Sequence, residues 1–223
     1  MGKRISIILL ESSLELVPRH LWDKPSIRAS ARRKRRHPSK MLLDKSIHRP
    51  DMARARLPNA WKRGRPDIVH RTLLAVLGSP LNLDGGIEAI YMHTVEDRVF
   101  QIDVKTRLPK NYNQFVGLME QLLVSKRVPP TGEKKLIWEL DTSLKELVES
   151  HRPFIILENY ETCRPVKSDI EGRLYGIGAF PAGRLDPRIL ELADNCLSLG
   201  PYTLDASTTA SHLTCLLWSK QIR

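Results

Sequence analysis

The chain has 223 residues, 41% of them apolar and 27% charged, with a formal net charge of +11. This is the balance of a folded globular protein with ample core, and it argues against a disordered tail or a membrane span. The charge is uneven: residues 1–70 carry 18 Lys/Arg and 6 Asp/Glu, against 18 and 19 in the remaining 153, which points to a polyanionic partner for the N-terminal third, nucleic acid before an anionic membrane.

Arg4 to Leu10 (RISIILL) reads as a buried strand, its β-branched run suiting a central parallel position. No stretch is long enough for a signal peptide or a membrane span. Met1-Gly2 with Ser6 matches the loose N-myristoylation pattern, but a strand from Arg4 would hold Gly2 against the fold, so no membrane contact is expected. Glu11 to Val17 has loop or short-helix character. Ser26 to Arg36 then carries five consecutive cations, Arg32, Arg33, Lys34, Arg35 and Arg36. Flanked by patterned sequence, it is read as a basic helix and loop on the surface, because so much like charge repels itself unless a polyanion neutralises it.

Lys62 to Asn82 (KRGRPDIVHRTLLAVLGSPLN) sets Lys62, Arg63 and Arg65 beside one carboxylate, Asp67. Pro66 favours extended geometry at Arg65 and suits a helix start, and Ile68, Val69, Leu73, Leu74 and Leu77 recur at helical spacing. Asp67 is either a plain N-cap beside solvated cations or part of a site at a loop-to-helix junction. Ala89–His93 and Arg98–Val104 read as a hairpin. Thr106–Gln114 (TRLPKNYNQ) is a basic loop leading into a helix that buries Phe115, Leu118, Met119, Leu122 and Leu123, with Arg107 and Lys110 near its free amides. Leu136–Leu140 and Ser143–Glu149 follow as strand and short helix, and Phe154–Leu157 as a buried strand. Leu174–Gly183 runs from strand into a loop whose glycines fit neither a dinucleotide fingerprint nor a P-loop. Arg188–Ala193 reads as a helix, Cys196–Leu199 as the last strand, and Ala206–Ser219 as a helix whose small first residues permit close approach to a ligand or a partner helix.

This alternation is that of an α/β fold with a mainly parallel sheet, where ligands sit beyond the carboxyl ends of strands. Three loops qualify: after Leu157, across Gly178–Gly183, and across Leu199–Leu204. Together they suit a small ligand with an aromatic head, or they are ordinary turns. Cys163, Cys196 and Cys215 show neither zinc spacing nor a disulfide framework, so no metal and a reducing, cytoplasmic interior are expected.

RGRPDIVH (Arg63–His70), SPLN (Ser79–Asn82), TRLPKNYNQFVGLMEQL (Thr106–Leu122) and GAFPAG (Gly178–Gly183), with SLELVP (Ser13–Pro18) and LLDKSIH (Leu42–His48), together resemble the pseudouridine N1-specific methyltransferases of small-subunit ribosomal RNA. These are ribosome-biogenesis enzymes of the SPOUT class, and the length is most similar to the archaeal branch. The resemblance implies one SPOUT domain over 1–223: a mainly parallel sheet flanked by helices, a small strand/helix extension, a basic RNA-binding element at about 24–65, and a C-terminal trefoil knot at about 153–223. The knot would bind S-adenosylmethionine through Leu157, Gly178, Gly183, Leu199, Gly200, Pro201, Tyr202, Thr203 and Leu204, and would form a homodimer. Arg65 and Asp67 would line the nucleotide site as catalytic residues. Arg63, Arg65, Arg107, Lys110, Gln114, Arg32, Arg33, Arg35 and Arg36 would hold an rRNA hairpin loop. Lys110 and Gln114 stand where the family has arginine, so the planar fork is lost at one and the charge at the other. Ribosomal proteins or assembly factors are further partners on this reading. The alternative is a non-catalytic RNA-binding ribosome assembly factor.

Overall fold

A computed structural model describes residues 4–159, 161, 163–165 and 171–221; Gly2, the candidate myristoylation site, lies outside them. Elements are numbered in chain order. The first strand, β1 (Ile5–Ser12), leads through a loop to α1 (Pro25–Lys34), α2 (Lys45–Arg54), α3 (Pro66–Leu77) and the single turn α4 (Pro80–Leu83). The hairpin β2 (Ile87–Thr94)–β3 (Val99–Ile102) precedes α5 (Tyr112–Ser125), β4 (Arg127–Val128), β5 (Ile137–Glu139) and α6 (Leu144–Ser150). Then come β6 (Phe154–Leu157), β7 (Arg164–Pro165), β8 (Leu174–Gly178), α7 (Pro187–Leu190), β9 (Asn195–Ser198) and α8 (Ala206–Gln221).

The strands form one sheet in the order β4-β5-β3-β2-β1-β8-β6-β9-β7. From β2 to β7 every pairing is parallel, while β3, β5 and β4 extend the β2 edge antiparallel. β1 lies in the middle, and its alternation divides the core. Ile5, Ile7 and Leu9 pack on the side of Val69, Leu73, Phe115, Met119 and Leu213, whereas Ile8 and Leu10 face Leu147, Val148 and Ile189. Each face of the sheet is thus sealed by helices, which the near-continuous apolar sequence of β1 requires.

The N-terminal third adds a third, smaller core of Val17, Leu21, Ile27, Met41, Leu43, Met52 and Leu57 beneath α1 and α2. Glu120 of α5, only 3% exposed, fastens this module to the sheet layer. It accepts from Lys34 Nζ (2.8 Å), Arg36 Nη1 (2.6 Å) and the Leu42 amide (3.2 Å). A carboxylate on the apolar face of α5 is thereby satisfied, and two of the five consecutive cations are spent on the fold. A second tie runs through Asp44, the N-cap of α2, which accepts from the Tyr112 hydroxyl (2.7 Å). His48 is 1% exposed; its Nδ1 accepts from the Asp44 amide (3.0 Å), so its proton resides on Nε2, 3.2 Å from Ser30 Oγ. Burial lowers His48 to a pKa of about 4.

Three expectations are corrected. The helix expected over Arg188–Ala193 is only the turn Pro187–Leu190. The strand expected over Arg98–Val104 ends at Ile102, where Asp103 turns toward Leu136. Cys163 and Cys196 are joined, with Cα atoms 5.1 Å apart, while Cys215 is free and exposed. The pairing is invisible in a separation of 33 residues but follows from topology: Arg164 and Leu197, the next residue after each cysteine, are partners in the parallel β7–β9 ladder. No helix among the described residues is long and apolar enough to cross a membrane.

Candidate active site

Arg65 is the residue where loop becomes helix. Its amide donates to Ser13 Oγ (2.8 Å) and Pro66 is the first residue of α3. Asp67 lies one residue further in and makes no capping bond, so the plain N-cap reading fails. Its carboxylate instead takes a two-bond fork from Arg65: Nε to Oδ1 at 2.7 Å and Nη2 to Oδ2 at 2.8 Å. That fork holds the Asp67 carboxyl below the usual carboxylate range, with Arg71 adding charge from the next turn at 3.9 Å. Both side chains of the fork remain 36% exposed.

Arg65, the donor half of the fork, lines a cleft of about 470 Å³, within the size range of small-molecule sites, while Asp67 stands behind it and is not among the lining residues. Arg65, Ile68 and Arg71 form one wall, and the strand-end loops after β6, β8 and β9 form the rest. Leu157, Gly178, Gly183, Leu199, Tyr202, Thr203 and Leu204 all line it; Gly200 and Pro201 do not. Three parallel strands ending at one level bring these loops together, as the register of β6 with β8 and β9 dictates.

These walls fit S-adenosylmethionine. Apolar side chains (Leu157, Ile177, Leu199, Leu204) offer a slot for a flat heterocycle, and hydroxyls of Ser198, Thr203 and Thr209 stand beside it. The glycines keep the wall bare. A Cβ at Gly178 would come within 2.9 Å of the Phe180 ring, and one at Gly183, where φ is +93°, within 3.2 Å of Trp61. Glu158 also lines the cleft; burial pushes its carboxyl up, and among the described residues no cation is paired with it. It suits a ribose hydroxyl or an ammonium. Asp205, by contrast, is consumed in capping α8 through Ser207 and Thr208. Glu158, Ser198 and Arg71 belong to the site without standing out in the sequence; only the position of Glu158 one residue past a buried strand could have marked it.

The RNA-directed residues divide into two groups. Arg107 and Lys110 are exposed on the loop before α5, and Gln114 is exposed in its first turn. His70, the last residue of RGRPDIVH, binds the Pro109 carbonyl (2.7 Å) and stacks on Phe115, so this loop is held against the Arg65–Asp67 turn. Arg32, Arg33 and Arg35 are exposed on α1 and its end. Arg36 is half exposed while bound to Glu120. Arg63 is turned inward: it is 19% exposed and donates from Nε and Nη2 to the fully buried Glu15.

The model of the family described as EMG1/NEP1 methyltransferase matches residues 7–217. The ribosomal RNA small subunit methyltransferase Nep1 of Staphylothermus marinus is 43% identical over 200 residues, 86% of each chain. That of Pyrobaculum islandicum is 40% identical over 208 residues, 90% of this chain and 91% of the relative. Among solved structures, Archaeoglobus fulgidus Nep1 bound to S-adenosylhomocysteine superposes over the full length of both chains with a TM-score of 0.88 at 33% identity. The chain belongs to the EMG1/NEP1 methyltransferase family.

Proposed function

We propose that the protein methylates N1 of a pseudouridine in a small-subunit rRNA hairpin loop, with S-adenosylmethionine as donor, and assists small-subunit assembly. The observation that carries this reading is that Arg65, forked onto the carboxylate of Asp67, lines the same cleft as the three strand-end loops. When bound there, S-adenosylmethionine supplies a methyl group activated by its sulfonium. The chain's part is placement and charge. Asp67 stays ionised, and each of its oxygens keeps a lone pair beyond the one given to Arg65, so it can accept the ring N–H that pseudouridine has and uridine lacks. A carboxyl held below its usual range is a weak base, so Asp67 orients the N–H, and the proton that the methyl group replaces passes to solvent. Arg65 fixes Asp67, and with Arg71 it offsets negative charge developing on the ring. The target base must leave the stack to enter the cleft.

In this reading Arg107, Lys110, Gln114, Arg32, Arg33, Arg35 and Arg36 follow the RNA backbone, while Arg63 holds the loop that carries Arg65. Residues 24–65 act as the basic RNA-binding element of one SPOUT domain, 153–223 as its cofactor-binding knot, and a second copy joins through the knot region. The exposed Leu83 and Leu216, on the neighbouring α4 and α8, support such a joint. Ribosomal RNA as substrate supports a place in the cytoplasm. The second reading, an RNA-holding assembly factor, draws on the separate core of the basic module. Mass spectrometry of paired hairpins carrying pseudouridine or uridine, incubated with S-adenosylmethionine, tests the proposal. Methylation of the first alone is expected; equal methylation of both would remove the pseudouridine assignment, and none on either would favour the assembly factor.

A further inference from the structure

We infer that Trp61 is a stacking platform for a base flanking the target in the bound RNA strand, an inference that rests on the RNA-methyltransferase reading above. Trp61 is 53% exposed, a large apolar surface to leave in water. Trp22 and Trp218 donate their indole N–H groups to Val17 O and Asp84 Oδ2; those of Trp61 and Trp138 have no acceptor among the described residues, and of the four tryptophans only Trp61 is exposed. Its position is nevertheless fixed. Lys62 Nζ binds both oxygens of Glu11 (2.8 and 2.7 Å) and lies 4.6 Å over the Phe180 ring. Arg63 is locked on Glu15, and the Arg65 amide on Ser13. An aromatic ring held on so clamped a loop loses little freedom on binding.

Location selects the occupant. The space beside Gly183, which lines the cleft, is closed by the indole edge of Trp61, yet Trp61 itself does not line the cleft. It stands at the rim beside Gly183, a few residues before Arg65 in the basic stretch that includes the exposed Arg56. A base inside the cleft would not reach the rim; a neighbouring unstacked base of the same strand would. Single-stranded RNA is gripped by this combination of aromatic face and flanking cations.

The test uses the full-length protein and its Trp61→Ala and Trp61→Phe variants with a pseudouridine hairpin, each loop position beside the target made abasic in turn. Affinity for RNA should fall roughly 5- to 150-fold in Trp61→Ala and recover largely in Trp61→Phe. The slope of affinity against salt should not change, because the same phosphates stay neutralised. One abasic position should weaken the wild type and leave Trp61→Ala unaffected. Calorimetric affinity for S-adenosylhomocysteine and the sedimentation mass should stay at wild-type values. Unchanged RNA affinity in Trp61→Ala overturns the inference. So does loss of S-adenosylhomocysteine binding, which would make Trp61 a prop for Gly183, or a fall in the sedimentation mass, which would make it a contact between copies. Methylation of the hairpin by the wild type, measured alongside, separates failure of this inference from failure of the methyltransferase reading.

Discussion

Asp67 gives both oxygens to Arg65, whose side chain lines the cleft, so substitutions there separate chemistry from binding. Asp67→Asn is nearly isosteric but turns an amide N–H toward a guanidinium, losing both the fork and the ionised acceptor. Turnover is expected to fall by about 100-fold or more, with RNA affinity retained in a filter-binding assay. The glycines of the cleft allow a paired comparison. Gly178→Ala must move the Phe180 ring, whereas a Cβ at Gly200 meets nothing within 4 Å. S-adenosylhomocysteine affinity measured by calorimetry should therefore drop for the first and hold for the second. His48 supplies a prediction in pH. Its folded pKa of about 4 lies below the ordinary 6.5, so the unfolded chain binds the extra proton between those values. The stabilisation is complete above about pH 6.5 and is lost as pH falls toward 4, by of order 3 kcal/mol. Urea titrations at pH 7 and pH 4.5 should show the loss, and His48→Asn, which can still accept from the Asp44 amide, should diminish it.

At the scale of elements, the attachment of the α1–α2 module to α5 turns on Glu120. Glu120→Ala removes the acceptor of two cations and an amide; with both cations 30–50% exposed to water, the cost should be about 1–3 kcal/mol in a thermal or urea melt. The elements legible in sequence are those whose pattern reports their burial: β1, β6 and β8 as apolar runs, and α3 and α5 as helical stripes. α2 is not among them, because its ten residues KSIHRPDMAR place only His48, Asp51 and Met52 inward, and Pro50 interrupts them. Two of those three are polar, buried because Asp51 accepts from the Ser26 amide and hydroxyl and His48 from the Asp44 amide. Such networks leave no periodic trace. The cleft loops are legible through topology alone, since strand ends mark ligand sites. Setting Arg65, with Asp67 behind it, against that cleft required the family resemblance.

For the molecule as a whole, charge is concentrated in the third that does not line most of the cleft. Arg32, Arg33 and Arg35 stand exposed there, whereas Lys34 and Arg36 are shared with Glu120. Replacing the three exposed arginines by glutamine should flatten the dependence of log RNA affinity on log salt by roughly 0.7–0.9 for each phosphate no longer neutralised, leaving S-adenosylhomocysteine affinity unchanged. The central place of β1 has a consequence for how the protein is made. The strand leaves the ribosome well before its neighbour on one side, β8, which ends at Gly178. At roughly 5–20 residues per second, a largely apolar strand waits of order ten seconds or more for its second edge to be covered. The N-terminal half can therefore not finish folding on its own during synthesis, and a chain stopped before β8 should remain open to protease where the full chain resists it.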